Sequence, residues 1–194
     1  DAYAKKATDF YSQCVAQVYP AYEKRLRDAN ALDFDDLLYW PALALRHDAD
    51  LRAELDARFR YVLIDEYQDT NLAQYAIARG LSVDYPNLCV VGDPDQSIYG
   101  WRGSDIRNIL DFERDFPGAR VLTLSKNYRS TPGILRAADH LIGHNRNRKP
   151  KDLVTDNPDG RPVTVLTFDN GGDGAEGIAL RIREAVEKGE GKRR

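Results

Sequence analysis

Two rhythms of apolar residues divide this chain of 194 residues. From residue 3 to 27 the apolar positions recur at helical spacing. Phe10, Cys14 and Val18 form one stripe, and Tyr11, Val15, Tyr22 and Leu26 lie beside it. Pro20 has no N–H to donate and predicts a kink or restart in that helix. Asp33, with Asp36 three residues on, reads as the cap of a second helix through Phe34, Leu37 and Leu38, disturbed by Pro41. A short charged helix follows over 48–58.

Beyond residue 60 short apolar runs alternate with helical patterns. Strands are predicted at 61–65, 88–92 and 120–124, and helices at 70–80, 104–115 and 131–144. Residues 145–161 are polar and read as loop, and a strand at 162–168 and a helix at 175–188 follow. Continuous apolar strands separated by helices predict parallel βαβ units, covered on both faces. Ligands of such sheets sit beyond the carboxyl ends of the strands. Asp65-Glu66 and Gly92-Asp93 both fall there.

Composition narrows the class. Hydrophobic residues make up 42%, enough for a core, and no apolar run approaches the roughly 20 residues of a membrane helix. The two cysteines, Cys14 and Cys89, are far apart and read as reduced thiols of an intracellular protein. A net charge of −3 gives no global attraction to nucleic acid, so DNA or RNA binding needs a local groove. The chain contains no methionine and is expected to be a piece of a longer protein.

The candidate chemistry lies at the strand ends. A hydrophobic strand ending in Asp65-Glu66 suits nucleotide hydrolysis: one carboxylate holds magnesium through its waters, the next accepts a proton from the attacking water. The alternative is helix capping by Asp65 or Asp69. GDPDQSIYGWRGSD, residues 92–105, follows the second strand. Gln96 donates and accepts at once, which suits sensing of a terminal phosphate or orientation of a water. Tyr99 and Trp101, interleaved with Arg102 in a glycine-rich loop, make a stacking platform for single-stranded bases. The alternative places Trp101 in the core. Arg129, in NYRS just after a strand end, either reaches a transferring phosphoryl group as an arginine finger or is solvated, and the basic run His144–Lys151 either grips phosphates or forms a solvated loop.

LDFDDLL (32–38), DEYQDTNLAQY (65–75), NLCVVGDPDQSIYGWRGSDI (87–106), LSKNYRS (124–130) and NRKPK (147–151) occur in this order. Together they closely resemble the UvrD, PcrA and Rep group of superfamily 1 DNA helicases, over nearly the whole chain. The resemblance implies an α/β fold: part of a RecA-like P-loop NTPase parallel sheet with flanking helices. Residues 1–30 would end a helical insertion subdomain, 31–124 would complete the first motor domain, and 125–194 would open the second. It implies ATP and Mg2+ as cofactors, with Asp65 on the metal, Glu66 as catalytic base and Gln96 at the γ-phosphate. Tyr128 would stack on adenine, and Arg129 would be the finger. Tyr99 and Trp101 would stack on DNA bases, and Arg102 would wire that loop to the acidic pair. The implied partners are single-stranded DNA and single-strand/double-strand junctions, with 3′–5′ movement and no membrane. The implied location is the bacterial cytoplasm, at the nucleoid during repair or replication.

The phosphate-gripping Gly-x-x-x-x-Gly-Lys-Ser/Thr loop occurs nowhere in the chain. Without that cradle the 194-residue piece is expected not to hydrolyse ATP. Two other readings compete. A metal-dependent nuclease would use Asp65, Glu66, Asp69, Asp93 and Asp95, and cutting of DNA without ATP would reveal it. A non-catalytic DNA-binding relative of the helicases would show itself by loss of the phosphate loop upstream.

Overall fold

The computed structural model describes residues 3–83, 87–146 and 148–189. The chain forms two compact units. The first runs through Leu122 and takes in Arg148 and Lys149; the second holds residues 123–146 and those from Pro150 onward. The Gly191–Arg194 tail lies outside the described residues.

In the first unit a short 3-10 turn, Ala4–Lys6, precedes α1 (Phe10–Asp28). The helix expected to begin at residue 3 thus starts later, where the Asp9 side chain accepts from Ser12 N at 3.0 Å. Pro20 lies inside an unbroken α1, as Pro41 does in α2 (Asp36–His47). Neither helix restarts at its proline, because each proline removes one hydrogen bond from a ladder that continues on either side. Asp33 starts α2 reciprocally with Asp36: Asp36 N donates to Asp33 Oδ1 at 2.8 Å, and Asp33 N to Asp36 Oδ2 at 3.2 Å. α3 (Ala49–Arg58) leads to β1 (Val62–Ile64).

α4 (Leu72–Gly80) packs on α2. Gly80 permits that approach, since a Cβ there would stand 2.8 Å from Leu45 Cβ. Asn71 and Gln74 close a capping box at the start of α4, which leaves Asp65 and Asp69 without that duty. β2 (Leu88–Val90) pairs with β1 in parallel, Val62 opposite Leu88 and Ile64 opposite Val90. The sheet is not covered on both faces as expected: Leu63 and Cys89, side by side on one face, are exposed. The stretch expected as one helix over 104–115 is two single turns, α5 (Arg107–Leu110) and α6 (Phe112–Asp115). They meet at Asp111, whose φ of −94° and ψ of 5° leave helical geometry. The core beneath them is aromatic. Tyr67, fully buried, meets the Phe112 ring edge-on at 5.6 Å, and Phe112 stacks on Phe116 at 4.6 Å.

The second unit contains α7 (Pro132–Ile142) and α8 (Gly171–Glu187), the latter capped by Asn170. Residues 120–124 and 162–168, expected as strands, form none. A strand requires a neighbour for its ladder. Among the described residues of the second unit the pairing is one isolated parallel bridge, Lys126 with Val154; Leu124, Val163 and Val165 are exposed, as are Val121 and Leu122 at the end of the first unit.

Candidate functional site

The parallel register brings the acidic end of β1 level with the turn after β2. Val91 N donates to Ile64 O at 2.8 Å, and Tyr67 N donates back to Val91 O at 3.0 Å. Between these two bonds the chain turns through Asp65 and Glu66. Glu66 adopts φ 51°, ψ 41°, a left-handed conformation that costs a residue with a Cβ roughly 1–2 kcal/mol. Tyr67 and Gln68, both buried, anchor the turn and leave Asp65 and Glu66 exposed above it. With Asp69, Thr70, Gln74 and Ile64 the two carboxylates line a cleft of about 330 Å³.

Gln68 ties this turn to the next loop. It is 1% exposed. Its Nε2 donates to Glu66 Oε2 at 2.8 Å and to Asp69 Oδ2 at 3.3 Å, and its Oε1 accepts from Asp93 N at 3.0 Å. Asp93 in turn accepts from Gln96 Nε2 at 2.8 Å and from Asp95 N at 3.0 Å. Glu66 and Gln96 are thus connected through two intervening residues, the Gln68 side chain and then Asp93 by its backbone N–H and its carboxylate. Gly92 makes room for the connection: a Cβ there would lie 2.6 Å from Gln68 Oε1, 2.8 Å from Ile109 Cδ1 and 3.1 Å from Tyr67 N.

The loop then projects its aromatic residues. The Arg102 guanidinium lies 4.5 Å from the Trp101 ring centre and 5.3 Å from that of Tyr99. Trp101 is 76% exposed, so it does not plug the core. The Arg102 guanidinium stacks on these rings. The loop returns to the acidic turn through Asp105 N to Thr70 O at 3.0 Å, and buried Asn108 donates to Thr70 O at 3.0 Å.

Carboxylates of the loop serve the fold. Asp95 pairs with Arg148 at 3.0 Å, the two side chains being 9% and 16% exposed, and Lys149 pairs with Glu113 at 2.8 Å. Two cations of the basic run are therefore engaged with their own unit; Asn147 lies outside the described residues. Asp93 and Asp95, two of the five nuclease carboxylates, are committed in this way as well. Among the described residues no group of three or more His, Cys, Asp and Glu could hold a metal ion. Asp65 Oδ1 accepts from Glu66 N at 2.9 Å, which leaves its second oxygen for a hydrated cation. A cation that keeps most of its waters and takes phosphate oxygens fits this sparse set, and magnesium has that habit.

In the second unit Asn127 shapes the NYRS turn. Its Oδ1 accepts from Arg129 N at 3.0 Å and from Ser130 N at 2.7 Å, while Asn157 Nδ2 donates to Ser130 O at 3.1 Å. Tyr128 and Arg129 are left exposed, with Lys126 Nζ 5.5 Å from the Tyr128 ring centre.

Sequence reasoning gave no role of their own to Gln68, Gly92 and Asn108, and took Arg148 only as part of the basic run. One signal was present: Gln68 is a neutral amide within an otherwise acidic run, where a donor among carboxylates has a structural use. The partners of the other three lie 17 to 53 residues away, as in the contacts of Asn108 with Thr70 and of Arg148 with Asp95, and local pattern carries no trace of them.

Residues 2–117 match the UvrD/REP helicase N-terminal domain, and residues 122–194 match the UvrD-like helicase C-terminal domain. The ATP-dependent DNA helicase PcrA of Bacillus subtilis is 43% identical over 192 residues, which cover 99% of this chain and 26% of that protein. The PcrA proteins of Staphylococcus epidermidis and Staphylococcus aureus are 45% identical over 185 residues, covering 95% of this chain and 25% of theirs. The chain thus spans about a quarter of the length of the curated relatives it matches. Among the described residues no helix is long and apolar enough to cross a membrane. With more than half its length matched by one domain family, the chain belongs to the UvrD/REP helicases.

Proposed function

We propose that this chain is part of an ATP-driven DNA translocase and helicase of the bacterial cytoplasm. The observation that carries the reading is the unbroken polar path from Glu66 through Gln68 and Asp93 to Gln96, beside the exposed Tyr99-Arg102-Trp101 stack. In this reading residues 31–124 belong to a first RecA-like motor domain and residues 125–194 to a second.

Glu66 accepts the proton of the attacking water. Asp65 would hold a hydrated magnesium ion, which when bound draws charge from the phosphate oxygens. Gln96 senses the terminal phosphate. Arg129 stabilises the charge that develops during phosphoryl transfer, and Tyr128 stacks on the adenine. Trp101 and Tyr99 hold successive bases of single-stranded DNA, each stack worth roughly 1–3 kcal/mol. Movement is 3′ to 5′, toward single-strand/double-strand junctions. The 194-residue chain alone, which contains no Gly-x-x-x-x-Gly-Lys-Ser/Thr loop, does not turn over ATP.

The test is a phosphate-release assay on full-length protein containing these residues, with and without single-stranded DNA. DNA-stimulated turnover is expected. Glu66→Gln should lower kcat by about 10²–10⁴-fold while nucleotide affinity persists. Turnover surviving in Glu66→Gln would refute the role of the base, and DNA cutting by the intact protein without ATP would favour a nuclease.

A further inference from the structure

We infer that Gln68 is a positioning residue that fixes Glu66 according to the state of the 92–105 loop, an inference that rests on the proposed ATPase reading. Its amide has one admissible orientation. A carboxylate accepts and a backbone N–H donates, so Nε2 must face Glu66 and Oε1 must face Asp93 N. The side chain is 1% exposed, and water does not compete for either bond.

Both ends of this bridge hold something poised. At one end Glu66 keeps a left-handed backbone conformation, which persists only where its surroundings over-determine it. The Gln68 bond at 2.8 Å is one of those constraints, together with Asp69 N to Glu66 O at 2.9 Å. At the other end Asp93 holds Gln96, and Ser97 Oγ donates to the Gln68 carbonyl at 3.3 Å. The loop bearing Tyr99, Trp101 and Arg102 therefore meets Gln68 twice before its aromatic residues begin. A base stacked on Trp101 that displaces this loop displaces Asp93 N, and the rigid amide carries the displacement to Glu66. A carboxylate at position 68 would face Glu66 and Asp69 with like charge, and an aliphatic residue would take the Gln68 acceptor away from Asp93 N. The neutral amide serves both contacts.

The experiment compares Gln68→Met with wild type in full-length protein, using ATP turnover with and without single-stranded oligonucleotide. Methionine keeps the volume and removes all three side-chain hydrogen bonds. The expected result is a kcat in the presence of DNA lowered by about tenfold or more. The KM for ATP should stay within about threefold and the stimulation by DNA should fall toward one. A purely structural role would instead lower basal and stimulated rates together, in proportion to the folded fraction, and that outcome overturns the inference. So does an unchanged stimulation ratio. If Gln68→Met does not fold, Gln68→Asn decides by the same readouts, since it keeps an amide but is too short to span both partners. Wild type without any DNA-stimulated turnover would overturn the ATPase reading itself, and the inference with it. Wild-type stimulation that persists in the variants would overturn the inference alone.

Discussion

Gly92→Ala is the sharpest perturbation of the site, because the added methyl has nowhere to go. Its Cβ would stand 2.6 Å from Gln68 Oε1, 2.8 Å from Ile109 Cδ1 and 3.1 Å from Tyr67 N. Gln68 has little freedom to yield, since it is buried and held from both ends. The Tyr67 N–H is held as well, by the strand-end bond to Val91 O at 3.0 Å. Overpacking of this kind costs about 1–3 kcal/mol. Loss of the buried Gln68–Asp93 bond adds about 1–3 kcal/mol, and the reduced backbone freedom of alanine in the unfolded chain returns about 0.4–1 kcal/mol. The net is a destabilisation of roughly 1–5 kcal/mol, which for a unit of this size lowers Tm by at least about 3 °C. Both tryptophans, Trp40 and Trp101, lie in the first unit, so tryptophan fluorescence on heating reads this unit specifically. Gly100→Ala is the matched control: no atom lies within 4 Å of its would-be Cβ, and its Tm should stay close to wild type. A Gly92→Ala chain that melts with the control would refute the close approach of Gln68 to the turn after β2.

Burial pushes the Tyr67 hydroxyl up to about 12. Above about pH 10 the unfolded chain releases that proton while the folded chain keeps it, so stability falls as pH rises. Tyr67→Phe lacks this slope. At pH 11 it should gain about 1 kcal/mol on wild type relative to their difference at pH 8, measured by urea unfolding, and parallel curves would contradict the burial. Arg148→Met removes a guanidinium from nearly buried Asp95, so the first unit should lose about 1–3 kcal/mol, less than a fully buried pair because Asp95 keeps further contacts. An unchanged fluorescence midpoint would show that the pair is only superficial. Trp101→Ala, in full-length protein, should abolish DNA stimulation of ATP turnover while leaving basal nucleotide affinity unchanged; surviving stimulation would remove the stacking role.

The chain's pattern made its central pair of strands legible. Val62–Ile64 and Leu88–Val90 are short apolar runs bounded by polar turns, and their parallel pairing follows from the helix between them. Asp65, Glu66, Asp93 and Gln96 stand at strand ends, so their arrival at a common edge follows from the same pattern. The chain's pattern did not separate apolar segments that pair from those that do not. Val121, Leu122 and Leu124 read as a strand but have no ladder, because pairing depends on what lies alongside and not on the segment alone. Likewise Pro20 and Pro41 suggested breaks that the surrounding helices absorb.

Residue type and spacing alone therefore determined which side chains are available at the edge: two carboxylates, a glutamine, two aromatic rings and an arginine. Tertiary structure decided how they are connected. It placed Gln68 beneath the turn, gave Gly92 the space that Gln68 occupies, set Arg148 against Asp95 and turned Arg102 onto the rings. The reason is physical. Periodicity reports which face a side chain takes, whereas a hydrogen bond between residues 25 or 53 positions apart, as in Gln68 with Asp93 and Arg148 with Asp95, exists only once folding has brought donor and acceptor within about 3 Å.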